Sequence, residues 1–130
     1  QLTETVHLIP KDIRAVQLAK AAIAAGIQTL LEVTDTDASE LSAFSICGGF
    51  GAHLNLESAA DIGLIPRSLV SKARVLGNAA LSGAAMLLLD TGCRSKAMQL
   101  AQAAHQLNLG GNPKFNENYI DQMFFPEEVM

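Results

Sequence analysis

Cysteine is scarce in this sequence, and the scarcity excludes two classes at once. Cys47 and Cys93, the two cysteines in 130 residues, do not make a disulfide framework. Together with His7, His53 and His105 they also lack the paired spacing of a zinc site. Each cysteine is expected to be a buried small hydrophobe, since no basic residue stands near Cys47 in sequence to favour a thiolate. Runs of Lys and Arg are missing as well: nine basic residues are scattered through a chain of formal charge −4, so nothing tracks a phosphate backbone and nucleic acid is excluded as a partner. The apolar stretches are broken by Ser, Gly or charge before the roughly 18 residues a membrane helix needs, so no membrane association is expected. With no signal sequence or lipidation motif, the reading is cytoplasmic. Repeats, linkers and low-complexity tracts are absent, and the length suits one domain, residues 1–130, with a core of its own. A chain that starts at Gln1 and runs straight into a hydrophobic strand is expected to be cut from something longer.

What is present is a short apolar run, Phe44-Ser45-Ile46-Cys47, that ends in Gly48-Gly49-Phe50-Gly51. Glycine loses more freedom on folding than any other residue. Three of them at a strand end imply a positive φ or something that approaches the backbone closely, and a bound ligand is one such thing. A tight turn without a ligand is the plain alternative.

Around this run the pattern alternates. Thr5 to Ile9 reads as a strand stopped by Pro10. Lys11 to Glu32, with Ile13, Val16, Ile23, Ile27 and Leu30 at three- and four-residue spacing, predicts a long amphipathic helix, with Asp12 as the acid of its first turn. Val33 to Glu40 reads as a loop in which Ser39 caps a short turn, and Leu41 to Cys47 as a strand buried on both faces. Asn55 or Ser58 caps a short helix closed by Gly63, and Ser71 to Leu76 makes a further strand. Asn78 opens a helix from Ala79 to Asp90. Its Ala80, Gly83, Ala84 and Ala85 leave a face almost without side chains, against which another element is expected to pack. Ser95 caps the next helix, and Asn112 to Phe125 forms a last aromatic element. Strands alternating with helices argue for an α/β fold with a parallel sheet, whose ligands collect beyond the carboxyl ends of the strands.

Three blocks in this order, Lys11 to Ile23, then Gly48-Gly49-Phe50-Gly51 with Ile62-Gly63-Leu64-Ile65-Pro66, then Gly77-Asn78-Ala79-Ala80-Leu81-Ser82-Gly83-Ala84, resemble the C-terminal domain of the ATP-dependent reductive activators of corrinoid proteins. The resemblance covers nearly the whole chain. It implies an actin-like ATPase (ribonuclease H-like, ASKHA) subdomain with a central, mostly parallel sheet flanked by helices. The chain would be the second, C-terminal half of such a domain. By the same resemblance Gly48, Gly49, Phe50 and Gly51 lie against an adenosine, and Arg14, Gln17, Lys20 and Ala21 of the preceding helix are candidates for a wall of the adenine pocket. The Gly77 to Ala84 block packs beneath. ATP or ADP with Mg is the implied cofactor of the intact protein. A two-iron two-sulfur cluster belongs to the parent outside this chain, and the remaining parent domains and a corrinoid protein are the implied partners. The fragment alone is expected to be inactive, the parent an ATP-dependent iron-sulfur activator. A homodimerisation or docking module of the same fold, built on Phe124 and Phe125, is the alternative reading.

Outside the glycine run, plainer roles are expected. His53 reads as exposed on a turn, and Lys20 as a solvated side chain with its stem on the helix. Glu57 and Asp61 read as one hydrated helix face. The aromatic tail, Phe115, Tyr119, Phe124 and Phe125, is expected to pack back over the core.

Overall fold

Pro10 at the first helical position, where its missing N–H is harmless, and Asp12, whose Oδ2 accepts the Ile9 N–H at 3.1 Å, start the helix α1, Pro10–Val33. The structure, a computed structural model, describes residues 7–126. Thr5 and Val6 of the expected first strand lie outside the described residues, and His7 to Ile9 is not a strand. Thr34, whose hydroxyl donates to the Leu30 carbonyl at 2.8 Å, ends α1, and the chain turns at Asp35 with a φ of 48°.

The side of α1 that is buried is Lys20, Ala21, Ala24, Ala25, Gly26 and Thr29. The isoleucine and valine positions that carry the helical periodicity are different ones: Ile13, Val16, Ile23 and Leu30 are exposed, and Ile27 alone of that set packs on the core. Small residues on the buried side let another helix come close. That helix is α5, Pro113–Asp121. Asn112 caps it, its Oδ1 accepting from the Lys114 N–H at 2.9 Å. Asn118 on α5 is buried and donates through Nδ2 to Thr29 Oγ1 and to Glu32 Oε2, both at 3.1 Å, while Gln122 Nε2 donates to Gln28 Oε1 at 3.1 Å. Phe115 and Tyr119 stack with ring centres 6.0 Å apart.

By length and composition α1 could cross a membrane, which the broken apolar runs did not suggest. Its buried Lys20 and Thr29 bond to the C-terminal part of the chain, as expected of a core helix.

The second half of the core is a parallel β-helix-β unit. β1, Phe44–Cys47, pairs with β2, Ala73–Gly77, in the register Phe44 to Ala73, Ser45 to Arg74 and Ile46 to Val75, then Cys47 to Gly77 across a bulge. The crossover contains α2, Leu56–Asp61, capped by Asn55 accepting the Ser58 N–H at 3.0 Å and closed by Gly63 with a φ of 74°. A 3₁₀ segment, Arg67–Lys72, leads into β2. Ala59, Ala60, Leu64 and Ile65 form the core cluster, against which Ile27, Phe44, Leu54, Leu56 and Val70 pack. Lys72 Nζ donates to the carbonyls of Ala38 and Ser39, which fastens the loop after α1 to this unit.

Several expectations change here. β1 starts at Phe44 rather than Leu41 and is not buried on both faces; half-buried and exposed residues alternate along it, because among the described residues no layer covers its second face. In the loop before it Ser39 is not the cap. Asp37 Oδ1 accepts the Ser39 N–H at 2.7 Å and Glu40 Oε2 accepts the Asp37 N–H at 2.9 Å, an aspartate turn in which the Ser39 side chain caps nothing.

After β2, Asn78 accepts the Leu81 N–H at 3.0 Å and opens α3, Ala79–Leu89. Asp90 then ends α3 and caps α4, Thr91–Ala103, by accepting the Gly92 N–H at 2.8 Å. The expected cap, Ser95, is instead inside α4 and donates to the Gly92 carbonyl. Asp90 wins because a carboxylate at the N-cap also meets the positive end of the helix dipole. Among the described residues no element covers the small-residue face of α3, and none of its residues is buried.

Candidate functional site

The two parallel strands end side by side, and both end in left-handed glycines. Gly48 has a φ of 95° and Gly77 a φ of 64°, and the Gly48 N–H donates to the Gly77 carbonyl at 2.7 Å. Only glycine takes such conformations freely, so the sequence ends both strands at one level. From there the chain passes through Gly49 and Phe50 into a 3₁₀ turn, Gly51–His53. This is the edge of the sheet at the carboxyl ends of its strands, with the N-terminus of α3 following directly on Gly77.

The glycines of this turn have separate physical reasons. A Cβ at Gly51 would come within 2.5 Å of Ile46 Cγ2. That glycine is required by the chain's own packing. Ile46 is β-branched and has little rotamer freedom with which to withdraw. Gly51→Ala is therefore expected to cost about 1–3 kcal/mol in a chemical-denaturation measurement, the usual range for forced overpacking. Gly49 is different: it has no left-handed φ, and among the described residues no atom lies within 4 Å of where its Cβ would be. Nothing in the turn's own conformation or packing asks for glycine there. Phe50 beside it is 81% exposed, a large apolar ring facing outward.

The other expected site residues are not gathered at this turn. Arg14 is exposed and Gln17 half-buried on α1. Ala21 has no exposed surface. Lys20, expected in solvent, is 1% exposed: its Nζ donates to the Phe124 carbonyl and stands 5.5 Å from the centre of the Phe125 ring. The physical reason is the C-terminal segment, which folds back over α1, so that the carbonyl and ring face replace water around the ammonium. That burial holds the Lys20 pKa below its ordinary value. Phe125 lies against the Lys20 ammonium yet stays 40% exposed, and Phe124 is 72% exposed, so these two rings do not pack over the core as expected of the tail.

Cys47 is exposed and Cys93 half-exposed, against the expectation of burial. Cys47 lies on the uncovered face of β1, and the Cys93 thiol donates to Asp90 Oδ2 at 3.4 Å in the first turn of α4. Among the described residues no group of three or more His, Cys, Asp and Glu converges as a metal site. His53 is exposed at the end of its 3₁₀ turn. Glu57 and Asp61 share Arg67, whose Nη1 donates to Glu57 Oε2 at 2.8 Å and whose Nη2 donates to Asp61 Oδ1. An exposed pair already bonded to a guanidinium is a hydrated face, not an acid-base couple.

The sequence did not single out one further feature, an open groove at the end of α1 of about 470 Å³, lined among others by Gln28, Glu32, Asp35, Asp37 and Glu40. It is made by the loop that Lys72 fastens, and no local signal marks it.

The family profile described as the C-terminal domain of RACo, the ASKHA domain, matches residues 1–130. The chain belongs to this family. It is 36% identical over 125 residues to a protein of Eubacterium limosum named corrinoid activation enzyme RamQ, covering 96% of this chain and 21% of that protein. Among solved structures it is similar to a reductive activator for corrinoid, iron-sulfur protein, with a TM-score of 0.81 and 33% identity over 89% of this chain and 18% of that one. The chain thus spans about a fifth of the length of these relatives. The fold is α/β, with a small parallel sheet and helices, of the ASKHA type.

Proposed function

We propose that this ASKHA domain supplies the adenosine side of a nucleotide site in an ATP-dependent activator of corrinoid proteins, as the second half of an actin-like ATPase domain whose central sheet continues beyond this chain. One observation carries the reading. Gly49 is a glycine that neither its backbone angles nor its described neighbours require, at the carboxyl end of a parallel strand. A residue kept bare without an internal reason fits close approach from outside. A planar base or ribose on the backbone is such an approach, with the exposed Phe50 ring as apolar flank. Of the helix candidates, Arg14 and Gln17 retain surface to offer; Lys20 and Ala21 act on the wall only by setting the position of α1.

The other half of the site, including groups that hold phosphates and Mg, would come from the rest of the parent. Closure of two halves over the nucleotide would be the step coupled to the corrinoid protein. The relatives' names support that partner, and the iron-sulfur cluster would reside in the parent outside this chain.

The test is calorimetric titration of ATP and ADP into the intact protein carrying Gly49→Trp. Affinity is expected to fall at least tenfold, about 1.4 kcal/mol, with the melting temperature unchanged, because the added side chain points into open space. Unchanged affinity in this variant would refute the reading.

A further inference from the structure

Helix α3 reads Ala-Ala-Leu-Ser-Gly-Ala-Ala-Met-Leu-Leu-Leu, without one charged residue. A helix apolar all round belongs in the inside of a protein. Here Leu81 is 65% exposed, Leu88 86% and Leu89 88%, and no residue of α3 is buried. The neighbouring α4 adds no continuous apolar face: its exposed Met98 and Leu100 are two residues apart and so lie on different sides of that helix. Gly83 sits mid-helix with no described atom within 4 Å of its missing Cβ, at a cost of about 1 kcal/mol relative to alanine that nothing among the described residues offsets.

We infer that α3 is an intramolecular docking surface, buried in the intact protein by the polypeptide that accompanies this domain. Three observations select that occupant. Four-fifths of each relative's length lies outside the matched region, so ample chain accompanies the domain in those proteins. The parallel sheet has two strands among the described residues, with Val75 and Leu76 of β2 exposed, whereas parallel sheets occur with both faces covered. The sheet and the helix that leaves it through Gly77 and Asn78 therefore lack cover together, as one layer missing its continuation. An 11-residue helix, about 16 Å long, is too short to span the roughly 30 Å core of a bilayer. The inference rests on family membership and on this surface; it does not depend on nucleotide binding.

The test places a thiol on the helix with Leu88→Cys, in a Cys47→Ser, Cys93→Ser background of the intact protein, and follows maleimide labelling without nucleotide. Labelling at position 88 is expected to be at least a hundredfold slower than in the denatured protein, at every protein concentration from submicromolar upward. Labelling as fast as in the denatured state overturns the inference. Protection that disappears on dilution overturns it as well, because a second copy would then be the occupant. Hydroxyl-radical footprinting of Met86 in the unmodified intact protein reads the same surface without substitution: low oxidation that is independent of concentration supports burial, and oxidation matching a free methionine contradicts it.

Discussion

Lys20→Ala is expected to destabilise the chain by about 2–4 kcal/mol, while Lys20→Met retains most of the stability. The lysine stem is buried between α1 and the C-terminal segment, and truncation opens a cavity there as any large-to-small core change does. It also strips the Phe124 carbonyl of its donor and Phe125 of the cation on its ring. Gly63 belongs to the same junction: a Cβ there would lie 3.1 Å from Lys20 Nζ and 3.0 Å from Pro126 Cγ. The end of α2 and the C-terminal segment thus meet across the lysine.

Methionine keeps the stem and removes the charge, which separates packing from electrostatics. Burial holds the Lys20 pKa below 10.5, so the unfolded chain binds the proton more tightly than the folded one. Stability therefore rises with pH between the lowered folded value and 10.5, and is flat in this term at lower pH. Denaturation of wild type and Lys20→Met across the alkaline range should show that rise in wild type only. Equal slopes in the two proteins would mean that the ammonium reaches water.

How far the sequence alone leads depends on whether the deciding interaction is local. The Asn78 cap, the α2 cap narrowed to Asn55 or Ser58, the closure at Gly63 and the acid Asp12 in the first turn of α1 involve partners within a few residues and were legible, whereas Pro10 reads as the stop of a strand rather than the first residue of α1. Lys20 was not. Among alanines it reads as a solvated side chain, and what buries it lies 104 residues away, at Phe124. The isoleucine periodicity of α1 identified a helix but not its buried side, since the alanines that admit α5 carry no signal in a hydrophobic pattern. Cys47 departs from expectation for a related reason: an apolar run predicts a strand buried on both faces only if layers cover both, and among the described residues one face of β1 has none. At the site, the glycine turn was legible as a place. Which glycine serves the fold and which leaves room was not, because that depends on where Ile46 Cγ2 lies in space.

Asn118→Asp should produce the other large effect, about 3 kcal/mol of lost stability at neutral pH from a change of one amide to one carboxylate. Asn118 is buried and spends its Nδ2 hydrogens on Thr29 Oγ1 and Glu32 Oε2. These bonds, the one from Asn118 first and then that from Gln28, hold the Glu32 carboxyl below its ordinary pKa. Aspartate at 118 keeps the shape and reverses the chemistry: two acceptors face each other where a donor stood, and a buried charge has a like charge beside it. The pH dependence then separates this cause from ordinary damage. In wild type, the Glu32 contribution is present above 4.5 and is lost as pH falls through its lowered folded value. In the variant, burial and the neighbouring charge raise the pKa of the new carboxyl above its unfolded value, so the penalty is full at neutral pH and is relieved as pH falls through that raised value. Melting temperatures of the two proteins should therefore converge between neutral pH and pH 4.5. Asn118→Leu, which removes the bonds without adding charge, should run parallel to wild type in this window. If Asn118→Asp also runs parallel, the contact of Asn118 with the end of α1 is solvated and does not hold α5 in place.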